Sequence, residues 1–194
     1  MKEMISHLRG AVMATVLLAV VCCGIYPLLV LAVGTALYPA KAQGSLLFDS
    51  KGRVIGSRLI GQNFVAPQYF HPRPSAAGNG YDAVNSGGSN LGPTSKKLAD
   101  AIAQNIADYR AQNGLATNAL VPADAVTASA SGLDPHITLA NAELQTARVA
   151  QARHLDVAAV LALVHQHTDP ASLGFLGEPG VNVLELNLAL DAYK

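Results

Sequence analysis

The stretch GAVMATVLLAVVCCGIYPLLVLAVGTALYPA, residues 10–40, contains no charged side chain. A helix needs about 20 predominantly apolar residues to cross a bilayer core that is about 30 Å thick. This run of 31 residues exceeds that length and leaves room for tilt and for both interfaces. It predicts one transmembrane helix at residues 10–38, preceded by a short N-terminal tail at residues 1–9.

A cleaved signal peptide is the alternative interpretation of this run. Ala40-Lys41-Ala42 resembles an A-x-A cleavage site, but the apolar core of a signal peptide is typically about 7–15 residues long. The length of the run therefore favours a retained helix. Its orientation stays open, because basic residues flank both ends in similar numbers and the positive-inside rule gives no preference.

Pro27 lies near the middle of the predicted helix. Proline has no amide hydrogen, so the carbonyl of Cys23 loses its usual donor and the helix is expected to kink. Membrane helices tolerate this where a neighbouring helix, a side chain or water satisfies the freed carbonyl. Pro27 is therefore a candidate contact with another helix, although a plain kink explains it as well.

Charge is balanced over the whole chain, with 13 Lys and Arg against 13 Asp and Glu. This balance argues against a nucleic-acid partner, since nucleic-acid-binding proteins usually carry a basic patch. Both cysteines, Cys22 and Cys23, lie inside the apolar run, so no disulfide is expected elsewhere and the compartment stays undecided. A zinc site is not expected, because His165 and His167 are two residues apart instead of four.

Residues 41–194 are numerous enough to form one soluble domain with its own core. Their patterns predict a mixed α/β domain of the α+β kind. Two short strands are predicted within residues 44–64, with Leu46-Leu47-Phe48 before a turn at Asp49-Ser50-Lys51-Gly52 and with Val54-Ile55 and Leu59-Ile60 after it. Helices are predicted at residues 95–112, 138–153 and 157–165, the last capped by Asp156. The apolar alternation in VNVLELNLAL, residues 181–190, predicts a strand with a bulge.

A loop rich in proline and glycine is predicted at residues 67–95. Loops of this length in a compact domain are usually functional or disordered. The aromatic residues Tyr69, Phe70 and Tyr81 predict that this loop is fixed to the domain.

The segment TASASGLDPHIT, residues 127–138, brings serine, aspartate and histidine close together in sequence. A catalytic triad needs specific hydrogen bonds among these side chains, and proximity in sequence does not provide them. The Asp134-Pro135 pair is typical of a helix start, with Asp134 as the N-cap and His136 in the first turn. We interpret the segment as an ordered loop that caps a helix.

The segment SGGSNLGP, residues 86–93, could expose backbone N–H groups of Gly87 and Gly88 to an anion. It lacks the lysine of a phosphate-binding loop, and no fully buried strand is predicted before it. Glycines in turns that require a positive φ are the favoured explanation.

Several blocks of the sequence, in this order, resemble one known family: GSLLFDSKGRVIGSRLIGQNF, YFHPRPSA, SGGSNLGP, VTASASGLDPHIT, ARVAQAR and LGEPGVNVLELNLAL. Together with the proline-bearing N-terminal span, they resemble the C subunit of the bacterial Kdp potassium-transporting P-type ATPase. The resemblance covers essentially the whole chain. Small departures occur at Thr138, Ala147 and Gly180.

The resemblance implies a single-pass protein of the bacterial inner membrane with its C-terminal domain in the periplasm. Its implied partners are a channel-like potassium-binding subunit, a P-type ATPase subunit and a small membrane subunit, besides the lipid bilayer. It implies a non-catalytic role in the assembly and activity of a high-affinity potassium uptake complex. It also implies a "catalytic chaperone" that raises the ATP affinity of the pump subunit. ATP is then used by that subunit, and no cofactor or metal belongs to this chain.

No residue is expected to be catalytic. The candidate interface residues are Pro27, Ser86, Gly87, Gly88, Asn90, Asp134 and His136. Two other functions stay open on the residues alone. The chain could be a membrane-anchored periplasmic binding protein, or an anchored hydrolase that uses a serine or histidine of these loops.

Overall fold

The computed structural model describes residues 2–49 and 51–193, so that Met1, Ser50 and Lys194 lie outside the described residues. The chain divides between Ile55 and Gly56 into two compact units. The first contains a long apolar helix, and the second is a domain of helices and a small sheet. An apolar N-terminal helix and a mixed α/β domain were both predicted, and both are confirmed.

The first unit is built on a continuous helical stretch. It consists of α1 (Lys2–Ala19), a π-helical turn (Val20–Ile25) and α2 (Tyr26–Leu37), and the single turn α3 (Pro39–Ala42) follows. From Glu3 to Leu37 it spans 35 residues, and it is long and apolar enough to cross a membrane. It begins earlier than the apolar run does, so residues 2–9, expected to form a tail, are helical as well.

The π-helical turn lies directly before Pro27. The N–H of Tyr26 donates to the carbonyl of Val21, five residues back, as in a π-helix. In a regular α-helix the ring of Pro27 would crowd the carbonyl of Cys23, and a widened turn relieves that contact. The helix therefore departs from regular α-helical geometry just before Pro27, while the kink stays a prediction.

A short hairpin follows, in which β1 (Leu46–Phe48) pairs with β2 (Val54–Ser57). Its turn is organised by Asp49, whose carboxylate accepts hydrogen bonds from the N–H of Lys51 at 2.8 Å and of Arg53 at 2.9 Å. The predicted turn is confirmed at these positions.

Leu59 and Ile60 were predicted as strand residues, and that prediction is wrong: both lie in a turn after β2. The hydroxyl of Ser57 accepts from the N–H of Leu59 at 3.1 Å, and the carbonyl of Ser57 accepts from the N–H of Ile60 at 3.2 Å. A serine side chain can hydrogen-bond to nearby backbone groups in place of the bonds between strands. Here Ser57 makes the local bonds, and the strand ends.

The second unit contains a three-stranded antiparallel sheet in which β5 (Gly180–Asn182) lies between β3 (His136–Thr138) and β4 (Thr168–Asp169). Ile137 pairs with Val181, and Val181 also pairs with Thr168. The helices are α4 (Lys96–Gln112), α5 (Leu139–Arg153), α6 (Val157–Gln166) and α7 (Val183–Ala192). The sheet and the last three helices enclose the main core, which includes Ile137, Ala142, Val149, Val160, Val164, Val181, Leu186 and Leu190.

Helix α4 begins and ends as predicted. The hydroxyl of Ser95 accepts from the N–H of Leu98 at 3.4 Å, and Gly114 takes a φ of +63° just beyond the helix end. Ala99 and Ala103 on this helix are exposed. Helix α6 also begins as predicted, although the side chain at its N-cap position makes no capping hydrogen bond.

The start of α5 differs from the prediction. Thr138 is the N-cap, not Asp134, and its hydroxyl accepts from the N–H of Asn141 at 3.2 Å. His136 lies in β3 instead of a helical turn, and Asp134 accepts from its N–H at 3.0 Å. An Asp-Pro pair suits a turn as well as a helix start, and the pairing of His136 with Asn182 in the sheet decides between them.

The segment at residues 181–190 is not the predicted bulged strand. The strand ends at Asn182, whose side chain accepts from the N–H of Glu185 at 3.1 Å and caps α7. The buried residues of α7 are Val183, Leu184, Leu186, Asn187 and Leu190. These positions are three and four residues apart around Asn187, which is helical spacing. The helical spacing was not recognised from the sequence, because the leucines alternate and an asparagine was not expected on the buried face.

Candidate functional site

The loop predicted at residues 67–95 is irregular as expected, apart from one 3₁₀ turn at Ala83–Asn85. Phe70 is fully buried in the main core. The hydroxyl of Tyr69 donates to Asp191 of α7, and that of Tyr81 donates to the carbonyl of Arg73 within the loop. Phe70 and Tyr69 therefore fix the loop to the domain, and Tyr81 connects two parts of the loop.

Residues 70 and 71 are held by side-chain amides from two helices. Asn187 of α7 accepts from the N–H of Phe70 at 2.9 Å and donates to its carbonyl at 3.0 Å. Gln145 of α5 makes the same pair of bonds to His71, at 2.7 Å and 3.1 Å. Both amide side chains belong to residues that are 1% exposed. They supply the hydrogen bonds that a neighbouring strand would otherwise give to this buried backbone.

Arg148 extends this support to residues 67–69. One of its terminal nitrogens donates to the carbonyls of Pro67 at 2.6 Å and Tyr69 at 2.9 Å, and the other donates to Gln145 at 2.7 Å. Burial lowers the pKa of Arg148, and burial followed by the charge of Arg148 lowers the pKa of His71. We call this set the loop clamp: Gln145, Arg148 and Asn187, holding residues 67–71.

The second half of the loop, residues 72–90, lies against residues 127–135, and we call this contact the loop seam. Arg73 donates to the carboxylate of Asp134 at 2.9 Å, with the two side chains 23% and 30% exposed. The hydroxyl of Tyr81 donates to the carbonyl of Arg73 at 2.8 Å. Burial, followed by the nearby charge of Asp134, raises the pKa of Tyr81. The seam thus combines a partly buried ion pair with a partly buried phenol.

The two sides of the seam approach most closely at Gly132, which has a φ of +67°. A Cβ atom there would lie 2.7 Å from the nitrogen of Ala77 and 2.8 Å from the carbonyl oxygen of Gly87. The hydroxyl of Ser75 donates to the carbonyl of Gly132 at 2.7 Å. Only glycine fits both the backbone angle and the space.

Ser86, Gly87 and Gly88 close the other end of the seam. The N–H of Gly87 and the hydroxyl of Ser86 both donate to the carbonyl of Ser131, at 2.9 Å and 3.0 Å. A Cβ on Gly88 would lie 3.0 Å from the carbonyl oxygen of Ala130. Since the N–H of Gly87 is already bonded, it is not free to bind a phosphate. The predicted positive φ is wrong for both glycines, since neither has one. Gly88 is a close-packing position, whereas a Cβ on Gly87 would meet nothing within 4 Å.

His136 lies between carboxylates where the seam meets the sheet. Its Nε2 is 3.2 Å from Asp169, and its Nδ1 is 3.8 Å from Asp134. Arg58 binds Asp169 at 2.6 Å and Glu185 at 2.9 Å. The hydrogen bond to Glu185 is the main cause of the raised pKa of Arg58. The imidazole is thus oriented by acidic side chains within a network of ion pairs.

The structure brings four of the predicted site residues into contact across the seam, namely Ser86, Gly87, Gly88 and Asp134. His136 follows the seam directly, in β3. Asn90 is exposed, with a φ of +52°, and Pro27 belongs to the helix of the first unit. Whether any of them contacts a partner stays a prediction. Within residues 2–49 and 51–193, no group of three or more His, Cys, Asp or Glu could hold a metal ion.

The loop clamp was not anticipated from sequence. Its signals were present, since Asn187 interrupts an apolar run and Gln145 lies four residues after Asn141 on α5. Buried amides of this kind are conspicuous only once a helix is recognised, and the segment of Asn187 had been predicted as a strand.

A family model described as "K+-transporting ATPase, c chain" matches residues 8–192 of the chain. The match therefore includes the apolar helix, the clamp and the seam.

Curated relatives are similar over most of their length. The chain is 56% identical to the potassium-transporting ATPase KdpC subunit of Mycobacterium tuberculosis strain H37Rv, over 86% of this chain and 88% of the relative. It is 55% identical to the subunit of that name from Gemmatimonas aurantiaca, over 97% of this chain and 94% of the relative. For Koribacter versatilis the identity is 50%, over 98% and 94%.

Proposed function

Because the chain belongs to the KdpC family, the c chain of K+-transporting ATPases, we propose that it is needed for the assembly and activity of a potassium uptake complex. As a member of this family it is a subunit of a complex and not a catalytic enzyme by itself. The observation that carries the proposal is the family match over residues 8–192. An anchored binding protein and an anchored hydrolase are the alternatives that the experiment below separates from it.

The proposed placement is single-pass, in the bacterial inner membrane with the domain in the periplasm. The 35-residue helix supports membrane attachment by its length and apolar character. The proposed partners are the channel-like potassium-binding subunit, the P-type ATPase subunit and the small membrane subunit of the complex. In this arrangement ATP is bound and hydrolysed by the pump subunit.

The loop seam is the proposed docking surface within the domain. Its backbone is fixed by the ion pair between Arg73 and Asp134 and by the close contact at Gly132. A surface held in one conformation loses little conformational entropy when a partner binds. The residues Ser86 and Asn90, exposed on this loop, are available to such a partner.

A raised ATP affinity of the pump subunit belongs to the proposal as an indirect effect. A periplasmic domain is separated from cytoplasmic nucleotide by the membrane, so the two sites would be coupled only through the conformation of the partner subunits. Such a coupling predicts that disturbing the docking surface raises the KM for ATP without changing the nucleotide site.

The test is a purification of the assembled complex. The chain carries an affinity tag after Lys194 and is expressed with its native partner genes under potassium starvation, and membranes are dissolved in mild detergent. We expect a P-type ATPase subunit and a channel-like subunit to co-purify in constant ratio with ATPase activity. The control is the same tagged chain without the partner genes.

Two results would contradict the proposal. Purification of the tagged chain alone, with no ATPase activity, would remove the accessory-subunit function. Hydrolytic activity or ligand-dependent stabilisation of that lone chain would favour the hydrolase or the binding protein instead.

A further inference from the structure

Three large apolar side chains are exposed together on the loop between β4 and β5. Leu173, Phe175 and Leu176 are 82%, 74% and 52% exposed. They fall within SLGFLGE, residues 172–178, and we call these three side chains the apolar tip. Exposed apolar groups that lie close together mark interaction sites more often than isolated ones do.

The tip is a formed turn. Ser172 and Leu176 exchange two backbone hydrogen bonds of 2.9 Å each, and the N–H of Gly174 donates to the carbonyl of Ala171 at 3.0 Å. Leu173 takes a φ of +56°, which is rare for a residue other than glycine or asparagine. This costs free energy that local contacts must offset. The backbone that carries these apolar side chains is thus held in a hydrogen-bonded turn before any partner binds.

The tip is also attached to the best-packed part of the domain. It leads into β5, the central strand of the sheet, where Val181 and Asn182 are fully buried. Asn182 then caps α7. A contact made at the tip is therefore transmitted to a rigid element.

Charge argues against a lipid surface as the occupant. Residues 155–193 contain no Lys or Arg, but they contain Asp156, Asp169, Glu178, Glu185 and Asp191. Segments that bind bilayer surfaces usually combine apolar residues with basic ones, because bilayers carry anionic lipid. Asp169 and Glu185 bind Arg58, and Asp191 binds Arg153. The acidic residue next to the tip in sequence is Glu178, and its charge favours a protein partner with a basic rim.

A second copy of the chain fits poorly for the same reason. Where two tips meet on a twofold axis, two Glu178 side chains, each two residues from a Leu176, approach each other. Like charges in an interface disfavour association.

We propose that the apolar tip docks into an apolar pocket with a basic rim on another subunit of the potassium-transporting complex. This inference rests on the proposed function, since it presupposes that the chain assembles with those subunits.

The first test is photo-crosslinking in the complete complex. Phe175→p-benzoylphenylalanine is expressed with all partner subunits, and Leu120→p-benzoylphenylalanine serves as the control, since Leu120 is 90% exposed. After irradiation of membranes, we expect an adduct between position 175 and another subunit of the complex, and no such adduct from position 120. An adduct with lipid or with a second copy, or no adduct at position 175, would overturn the inference.

The second test compares Phe175→Asp with Leu120→Asp in the tagged complex. Aromatic residues central to an interface weaken binding about 30-fold or more when lost. We expect the first variant to lose its partner subunits on washing and the second to keep them. Equal retention by both variants would contradict the tip inference while leaving the proposed function intact. If the wild-type chain retains no partner, the proposed function itself fails.

Discussion

The two halves of one loop are held in contrasting ways. In the loop clamp, neutral amides of residues that are 1% exposed satisfy the backbone of residues 70–71. In the loop seam, an ion pair that is 23% and 30% exposed and a close glycine contact hold residues 72–90. Leaving a buried polar group unpaired costs about 1–3 kcal/mol, whereas surface ion pairs contribute about 0–1 kcal/mol. The clamp therefore secures the fold, and the seam leaves its polar groups close to solvent.

The sharpest test of this contrast is Asn187→Ala in the clamp. The change leaves the N–H and the carbonyl of the buried Phe70 without their partners, so we expect a loss of about 4 kcal/mol in the free energy of unfolding. Urea unfolding of the full chain in mild detergent, followed by tyrosine fluorescence, measures it. Asn85→Ala, on the exposed part of the same loop, is the control and should cost far less. Equal losses of unfolding free energy in the two variants would show that the clamp stabilises the fold no more than the exposed part of the loop does.

The second prediction concerns the closest point of the seam. Gly132→Ala combines an unfavourable φ of +67° with a Cβ that lies within 2.8 Å of backbone atoms across the seam. We expect a loss of about 3 kcal/mol, of which about 1–2 kcal/mol is backbone strain. The matched control is Gly114→Ala, where φ is +63° but a Cβ would meet nothing within 4 Å.

Subtracting the two glycine variants isolates the cost of forcing the seam apart. If the two variants lose nearly the same free energy of unfolding, backbone strain explains both losses. The residues across the seam would then move apart at little cost. Co-purification of the partner subunits with Gly132→Ala then shows whether the seam geometry matters for assembly.

Some elements of the chain could be predicted from the sequence, and others could not. The apolar helix and α4 were predictable, because a 31-residue uncharged run and a capped periodic helix each carry their own signal. The strand His136–Thr138 was not, since its pairing with β5 depends on residues more than 40 positions away. Helix α7 was predicted as a strand, because its apolar residues alternate unless the buried Asn187 is counted with them.

The candidate site divides in the same way. Ser86, Gly87 and Gly88 were recognisable as candidate residues, and the structure brings them to residues 130–131, although without the predicted positive φ at either glycine. The contact of Arg73 was not predictable, because nothing in the sequence connects it with Asp134, 61 residues away. Long-range polar contacts of this kind have no local pattern.

The third prediction separates charge from shape in the seam. Asp134→Asn keeps the side-chain volume but removes the charge facing Arg73, and we expect a loss of about 1 kcal/mol, reduced by solvent screening. High salt should shrink the difference from wild type, since the screening length falls to about 3 Å at 1 M salt. Asp100→Asn, in an exposed pair with Lys96, should have a smaller effect. A loss that does not change with salt would point to hydrogen bonding instead.

The smallest expected effect is the pH dependence that His71 gives to the clamp. Burial, followed by the charge of Arg148, lowers the pKa of His71 in the folded state, so the unfolded chain binds a proton more readily, with a pKa of about 6.5. Stability should therefore be constant above about pH 7.5 and should fall as the pH drops through the unfolded pKa. Urea unfolding of wild type and His71→Gln between about pH 5 and pH 8 tests this, because the variant should lose that part of the slope. If the variant keeps the same slope of unfolding free energy against pH, other titratable groups cause the pH dependence. The clamp and the seam would then differ in burial alone.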